Sequence, residues 1–214
     1  MNSELIRYKD ICVDFHGSRL FSNFNLTVNQ GDKLILKGRS GSGKSTLFKI
    51  LLGMLHVDGG EVFYRGRKVS PSNIWDIRKE IAYVSQNTDI GEGIVKDLIN
   101  EIFSFDHNRG RKYHRKRNFL LDYFGLDRSI VYKKFEDLSG GEKQRICIII
   151  SVLLGKEIFL LDEVTSALDP ELKEKVVDFF LENKDWTLLV VSHDNTWDRI
   201  IMDEVFVDGC EINA

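Results

Sequence analysis

The chain has 214 residues, enough to bury the core of one domain, and its 43% hydrophobic and 29% charged content is that of a soluble globular protein. Its formal net charge of -3 argues against a protein that binds a polyanion through bulk charge. The cysteines Cys12, Cys147 and Cys210 show no metal-ligand spacing, which predicts free thiols in a reducing compartment such as the cytosol.

The first part of the chain, up to residue 37, is predicted to form strands. Apolar and β-branched residues recur in "LIRYKDICVDF" and "FNLTVNQGDKLILKG", with turn residues between the runs. The pattern changes to a helix in "GKSTLFKILLGML", directly after a glycine-rich loop. The sequence "GGEVFYRGRKVS" then predicts a hairpin with its turn at "RGRK", and "EIAYVSQ" predicts a short buried strand.

The rest of the chain alternates helices with buried strands. Helices are predicted over 94–104, over 116–124 and in "GEKQRICIIISVLLG". A strand in "EIFLLDE", a helix in "ELKEKVVDFFLEN", a strand in "WTLLVVSHD" and a last strand in "EVFVDG" follow. This alternation predicts an α/β fold in one compact domain, with a mostly parallel sheet covered on both faces and an antiparallel layer from the amino-terminal strands.

A glycine-rich loop, "GRSGSGKST" at residues 38–46, lies between a predicted strand and a predicted helix. Gly38, Gly43, Lys44 and Ser45 match the pattern G-x-x-x-x-G-K-[ST], whose glycines let backbone N–H groups surround phosphate oxygens. Lys44 would reach the β- and γ-phosphates of a nucleotide, and the Ser45 hydroxyl would ligate Mg²⁺. The other loop residues expected to contact ATP are Arg39, Ser40, Gly41, Ser42 and Thr46.

Two acidic residues end the buried strand "FLLDE". Asp162 would lie at the carboxyl edge of the sheet, where it could hold the Mg²⁺ hydration shell. Glu163 could polarise an attacking water as a general base. A phosphate loop with this acidic pair fits both a small-molecule kinase and an ATP hydrolase, so both classes remain open at this point.

A second pair of glycines opens a helix in "LSGGEKQR", residues 138–145. Ser139 can cap the helix, while Gly140 and Gly141 expose backbone N–H groups, which makes another anion-binding helix start. Because the first loop already encloses one nucleotide, this second site should face something else.

Six short sequences, "GRSGSGKST", "YVSQ", "LSGGEKQR", "FLLDE", "SALD" and "VSHD", resemble in order and spacing those of the ATP-binding cassette (ABC) ATPases, across essentially the whole chain. The resemblance implies a P-loop NTPase with a RecA-like core over about 1–86 and 155–214 and a small helical subdomain over about 87–154. It implies that two cassettes dimerise head to tail, so that Ser139, Gly140 and Gly141 of one chain close over the γ-phosphate held by the other. A small-molecule kinase is therefore disfavoured.

The resemblance also implies roles for single residues. Gln86 in "YVSQ" resembles the glutamine that senses Mg²⁺ and water, and His193 in "VVSHD" resembles the switch histidine that contacts the γ-phosphate. Asp169 in "SALDP" resembles the residue that crosses the dimer interface, although it could instead cap a helix that begins at Pro170.

The resemblance further implies an aromatic residue that stacks on adenine at Phe15, 29 residues before Lys44, and base stacking tolerates any aromatic side chain. Tyr8 is the alternative residue for this role, and core packing is the alternative role for Phe15. Val164 stands where the family usually has Pro after the acidic pair. The catalytic set of Lys44, Gln86, Glu163 and His193 is complete, so an active ATPase is expected.

The expected assembly follows from the same resemblance. The longest apolar stretch, residues 146–155, is shorter than the roughly twenty residues of a spanning helix, and the first residues lack an export signal. We therefore expect the separate ATPase subunit of a transporter, on the cytoplasmic face of the membrane, paired with a second cassette (an identical copy) and a membrane permease.

The alternative assembly is an ABC ATPase that acts on another membrane complex or on nucleic acid. The basic run "RGRKYHRKR", residues 109–117, could lie near anionic lipid or nucleic acid, but a solvated subdomain edge is the favoured interpretation. Its single aromatic residue gives little support for base stacking, so nucleic acid is not expected as a partner.

Overall fold

The structure of the protein is a computed structural model that describes residues 3–15, 18–110, 113–199 and 203–207. The strands in these ranges are β1 (Glu4–Phe15), β2 (Ser18–Asn29), β3 (Lys33–Lys37), β4 (Gly59–Tyr64), β5 (Arg67–Lys68), β6 (Ile81–Val84), β7 (Ile158–Asp162), β8 (Thr187–Val191) and β9 (Asp203–Phe206). The helices are α1 (Lys44–Leu51), α2 (Ile74–Glu80), α3 (Val95–Ser104), α4 (His114–Tyr123), α5 (Gly140–Leu153) and α6 (Pro170–Glu182). Short 3₁₀ turns lie at Arg128–Tyr132, Phe135–Asp137 and Asn195–Arg199.

The amino-terminal strands form an antiparallel sheet in the order β2-β1-β4-β5. β1 and β2 pair as a long hairpin, and β4 pairs with the other edge of β1. The hairpin predicted at "RGRK" is confirmed, because Tyr64 pairs with Arg67 across a turn of Arg65 and Gly66. Both turn residues have positive φ, as a tight turn that follows the twist of the strands requires.

The other five strands form a second sheet in the order β6-β7-β8-β3-β9, and all of its pairings are parallel. Alternate residues of a strand face opposite sides of a sheet. In β7, Ile158 and Leu160 pack into a cluster with α1 and the antiparallel sheet, whereas Phe159 and Leu161 pack into a cluster with α5 and α6. The predicted α/β fold, with a parallel sheet covered on both faces and an antiparallel layer, is confirmed.

The helical segment at 87–154 is packed directly onto the parallel sheet. Its buried residues, from Val95 in α3 to Leu153 in α5, belong to the same hydrophobic cluster as Phe159 and Leu161 of β7. The subdomain boundary itself stays a prediction.

Two helices, α4 and α2, differ from the predicted elements. α4 begins at His114, earlier than the predicted start at residue 116. Tyr113, just before it, is buried and stacks on Phe103 with ring centroids 4.1 Å apart, so the aromatic residue of the basic run packs inside the protein. α2 was not predicted, because only Ile74 and Ile77 of its seven residues are buried and so short a stripe sets no clear period.

The carboxyl ends of four neighbouring parallel strands meet at one edge of the sheet. β3 ends at Lys37, β6 at Val84, β7 at Asp162 and β8 at Val191. The glycine-rich loop, "SQ", the acidic pair and "SHD" each follow or end one of these strands. Sequence segments that are far apart in the chain are therefore brought together here. No helix in the described part of the chain is long and apolar enough to cross a membrane.

A core substitution tests whether the side chains of β7 are buried on the face of the sheet that packs against α5 and α6. Leu161 has 0% of its surface exposed, so Leu161→Ala should lower the free energy of unfolding by about 2–5 kcal/mol in urea denaturation. Met54 is 58% exposed, and Met54→Ala is the matched control, with an expected change below about 0.5 kcal/mol. Equal losses in the two variants would contradict the buried position of β7.

Candidate functional site

The glycine-rich loop turns sharply between β3 and α1, and two of its glycines adopt positive φ at positions with no room for a Cβ atom. Gly38 has φ 145, and a Cβ there would lie 2.4 Å from the Val207 carbonyl oxygen. Gly43, which precedes the first residue of α1, has φ 99, and its Cβ would lie 2.5 Å from Phe21 Cζ. The loop can therefore keep this path, with the N-terminus of α1 at its end, only with glycine at both positions.

The amine of Lys44 lies inside the loop. Lys44 is 6% exposed, and its Nζ donates hydrogen bonds to the carbonyl oxygens of Gly38 at 2.9 Å and Arg39 at 2.8 Å. Burial lowers the pKa of Lys44, and the charges of Glu163 and Asp162 oppose that shift. The loop thus surrounds one cationic group at the edge of the sheet.

Asp162 ends β7 with its carboxylate almost fully buried, at 3% exposure. Its Oδ1 accepts a hydrogen bond from Ser45 Oγ at 2.7 Å, and its Oδ2 accepts one from Tyr83 OH at 3.3 Å. Burial raises the pKa of Asp162, while the hydrogen bonds from Ser45 and Tyr83 and the charges of Lys49 and Lys44 oppose the rise. A hydroxyl and a carboxylate, both hard oxygen donors, therefore lie side by side.

The residue after Asp162 has an unusual backbone. Glu163 has φ 52, in the left-handed region that is rarely occupied by residues other than glycine. Its N–H donates to the Val191 carbonyl at 2.9 Å, and its carbonyl accepts hydrogen bonds from Gln144 Nε2 at 3.0 Å and Ser166 Oγ at 2.8 Å. These hydrogen bonds hold the turn on both sides.

The side chain of Glu163 points towards the end of β8. Its Oε1 lies 3.7 Å from His193 Nε2, and the Glu163 side chain is 14% exposed while that of His193 is 57% exposed. Burial raises the pKa of Glu163, and the neighbouring His193 opposes the rise. A carboxylate with a raised pKa beside an imidazole is suited to accept a proton.

A cleft of about 450 Å³ brings most of these groups together. Its lining residues are Leu20, Ser40, Gly41, Gly43, Lys44, Ser45, Thr46, Gln86, Glu163, Val191 and His193. All four predicted catalytic residues, Lys44, Gln86, Glu163 and His193, are among them, and Asp162 contacts the cleft through Ser45. Their individual roles stay predictions.

The second glycine pair lies outside this cleft, at the start of α5. Ser139 Oγ accepts the Glu142 N–H and Glu142 Oε2 accepts the Ser139 N–H, which forms a complete capping box. Ser139 and Gly140 are exposed. This helix start therefore does not line the cleft beside the chain's own phosphate loop.

The remaining predicted contacts have mixed outcomes. Asp169 caps α6, because its Oδ1 accepts the Leu172 N–H at 3.0 Å, while its role at an interface stays a prediction. Phe15 ends β1, and its side chain lies outside the described part of the structure. Tyr8 as the adenine-stacking alternative is wrong, because it is 1% exposed and its hydroxyl donates to the Leu47 carbonyl in the core.

Four residues of the site were not found from the sequence. Tyr83 contacts the carboxylate of Asp162, Gln144 contacts the carbonyl of Glu163, and both Leu20 and Val191, the first residue of "VSHD", line the cleft. Tyr83 lies in "YVSQ" and Gln144 in "LSGGEKQR", so both stand in sequences already singled out. Leu20 carries no such signal.

Comparison with known proteins gives consistent results. The profile of a family described as ABC transporter matches residues 21–166. The energy-coupling factor transporter ATP-binding protein EcfA1 of Mycoplasmopsis synoviae is 34% identical over 195 residues, covering 87% of this chain and 71% of the relative. EcfA1 of Streptococcus mutans is 30% identical over 205 residues, covering 91% and 72%.

Solved structures show the same fold. A bacterial ABC transporter cassette solved as a dimer superposes with a TM-score of 0.81 at 24% identity, covering 95% of this chain and 94% of its own. The protein cbiO1 from Clostridium perfringens, described as part of the ABC transporter complex cbiONQ, has a TM-score of 0.72 at 21% identity, covering 90% and 79%.

The buried carboxylate gives a prediction about stability. Asp162→Asn keeps the size of the side chain and an acceptor for Ser45. Because burial raises the pKa of Asp162, its ionised form destabilises the folded state at neutral pH relative to the unfolded state. We therefore expect the variant to unfold at higher urea than the wild type near neutral pH, without nucleotide.

The difference should shrink as the pH falls towards the raised pKa, where the wild-type carboxyl is protonated as well. Asp106→Asn, on a side chain that is 92% exposed, is the control and should change stability by less than about 0.5 kcal/mol. If Asp162→Asn is less stable than the wild type at neutral pH, the carboxylate stabilises the fold and the prediction is contradicted.

Proposed function

The chain belongs to the ABC transporter family and is an ATP-binding ATPase coupled to transport, and we propose that the cleft beside the glycine-rich loop is where it hydrolyses ATP. The observation that carries this proposal is the convergence of Lys44, Asp162, Glu163 and His193 at one edge of the parallel sheet. A cation, a carboxylate that could hold a metal ion and a base are groups that phosphoryl transfer to water uses, and the imidazole of His193 lies beside the base.

The nucleotide is held by its phosphates. Backbone N–H groups of the loop and the N-terminus of α1 face the phosphate oxygens, and Lys44 neutralises charge on the β- and γ-phosphates. Gly38 and Arg39 hold the Lys44 amine within the loop, so little rearrangement is needed before it contacts a phosphate.

The reaction is attack of water on the γ-phosphorus. Glu163 accepts one proton from the water, the water oxygen forms a bond to phosphorus, and the bond to the bridging oxygen breaks so that ADP leaves with the electron pair. The raised pKa of Glu163 brings its basicity closer to neutral pH, and His193 keeps the carboxylate oriented from the side of β8.

The site fits a magnesium ion. Ser45 Oγ and Asp162 Oδ1 lie 2.7 Å apart, and both oxygens could be ligands of the ion. Burial raises the pKa of Asp162, so a divalent cation would offset the free-energy cost of burying its ionised carboxylate. Ser45 and Asp162 would hold the ion, with Gln86 near it in the cleft. When bound, Mg²⁺ supplies positive charge to the phosphate oxygens.

Two cassettes are proposed to share two ATP molecules. The exposed Ser139–Gly140 start of α5 cannot serve the chain's own loop, since it does not line the cleft. In a head-to-tail dimer it would add backbone N–H groups to the γ-phosphate held by the partner. The dimeric cassette with the same fold supports this arrangement, and Asp169 would lie near the interface.

The relatives support a multi-subunit transporter. EcfA1 is named as the ATP-binding protein of an energy-coupling factor transporter, and cbiO1 as part of a transporter complex. We propose that this chain likewise drives a separate membrane permease, on the cytoplasmic face of the bilayer.

The base assignment is tested by Glu163→Gln. The amide keeps the shape of the side chain but cannot accept the proton, so ATP turnover should fall by a factor of about 100 or more. Nucleotide binding should persist, and ATP should accumulate a dimer in size-exclusion chromatography. Lys44→Ala is the contrasting variant, which should lose ATP affinity. Wild-type turnover in Glu163→Gln would overturn the assignment.

The transport partner is tested by affinity capture. Tagged Glu163→Gln protein with ATP and Mg²⁺ should recover a polytopic membrane protein from detergent-solubilised membranes. The double variant Glu163→Gln/Lys44→Ala is the control and should recover less, because it cannot close around ATP. Recovery of soluble proteins or nucleic acid alone would contradict the permease partner and favour the non-transport alternative.

A further inference from the structure

The start of α5 touches the turn that carries the proposed base of the same chain. Gln144 lies in the second turn of α5, is 2% exposed, and donates through Nε2 to the carbonyl oxygen of Glu163 at 3.0 Å. We call Glu163–Asp169 the catalytic turn. The start of α5 is exposed at Ser139, and five residues later Gln144 of the same helix is hydrogen-bonded to this turn.

A second contact lies beside this hydrogen bond. A Cβ on Gly141 would lie 2.9 Å from the carbonyl oxygen of Ala167, so the backbone of α5 is closely packed against the catalytic turn. On the other side, Trp197 Nε1 donates to Thr165 Oγ1 at 3.3 Å, and both residues are fully buried. The catalytic turn is therefore held between α5 and the 3₁₀ turn after β8, in direct contact with both.

The hydrogen bond from Gln144 acts on a backbone that needs support. A left-handed conformation is unfavourable for a residue other than glycine, and Glu163 adopts it at φ 52. The Glu163 carbonyl also accepts the Ser166 N–H at 3.1 Å, and together with the hydrogen bonds from Gln144 and Ser166 Oγ this holds the strained backbone from which the side chain projects. Loss of the Gln144 donor should loosen this backbone and so broaden the distribution of carboxylate positions.

We propose that Gln144 is a positioning residue for Glu163, through which closure of α5 over a partner's ATP sets the base of the chain's own site. This inference rests on the proposed function, because it takes Glu163 as the base and the start of α5 as the partner-facing element. It makes the two ATP sites of a dimer interdependent: the element that completes one site orients the base of the other.

The test is Gln144→Met, which keeps the length of the side chain and removes the donor. We expect kcat for ATP hydrolysis to fall roughly ten- to a hundredfold, because a small misplacement of a catalytic group has effects of this size. KM for ATP and the ATP-dependent dimer should change by less than about twofold, since no phosphate contact is lost.

A double-variant cycle separates positioning from general damage. If Gln144 acts through Glu163, adding Gln144→Met to Glu163→Gln should lower the residual single-turnover rate by less than about twofold. A full further loss in that background would overturn the proposal, and so would a wild-type kcat in Gln144→Met alone.

The same experiment distinguishes this inference from the proposed function. Wild-type turnover in Glu163→Gln would remove the base on which both depend, whereas an impaired Glu163→Gln with a normal Gln144→Met would remove only the inference. Ser151→Ala is the matched control, because Ser151 is also buried in α5 but its hydroxyl donates to the Ile148 carbonyl of the same helix, and the kcat of this variant should stay within about twofold of the wild type. If Gln144→Met does not fold, Gln144→Leu replaces it, because leucine also lacks a hydrogen-bond donor and places no charge at this buried position.

Discussion

Burial of the parallel sheet on both faces is the constraint on which the rest of this structure depends. β7 and β8 are buried at every residue, with alternate side chains in two different hydrophobic clusters. Neither face can then hold a water-accessible polar site without disrupting a cluster, so the chemistry is left to the strand ends. The carboxyl ends lie together, and this is why Lys44 and Glu163, far apart in sequence, share one cleft.

The same edge carries groups that oppose folding. Asp162 and Glu163 have pKa values raised by burial, Lys44 has a pKa lowered by burial, and Glu163 also has a strained backbone. Each of these is compensated locally by hydrogen bonds, but the carboxylates and the amine remain poorly solvated. Such a site favours ligands that supply the missing charges, and a nucleotide phosphate with a divalent cation supplies both. Binding and stability are therefore linked at this edge.

How much the sequence could predict depends on the range of the interactions involved. The strand–loop–helix at Gly38–Thr46 and the alternation of buried strands and helices are visible locally, because glycine spacing and apolar period need only neighbouring residues. The burial of Tyr8, the hydrogen bond from Tyr83 and the contact of Gln144 depend on which residues other elements bring near. These contacts follow from tertiary packing, and the residue pattern within one segment carries no information about them. Asp169 shows the intermediate case, since the following proline marks a helix start while a partner chain would decide any further role.

The two glycine-containing segments differ in what lies on each side of them. In the glycine-rich loop, Gly38 and Gly43 are closed in by Val207 and Phe21, so the loop is braced by its own chain at these two positions. At the start of α5 the inner side is closed by Ala167 at Gly141, while Gly140 and Ser139 are open. α5 is a capped helix from Ser139 and packs into the core through Ile146 and Ile149. In the proposed dimer, a phosphate bound at the exposed end of α5 would therefore act on the turn behind it, and binding of a partner's nucleotide would affect the proposed base of the chain's own site.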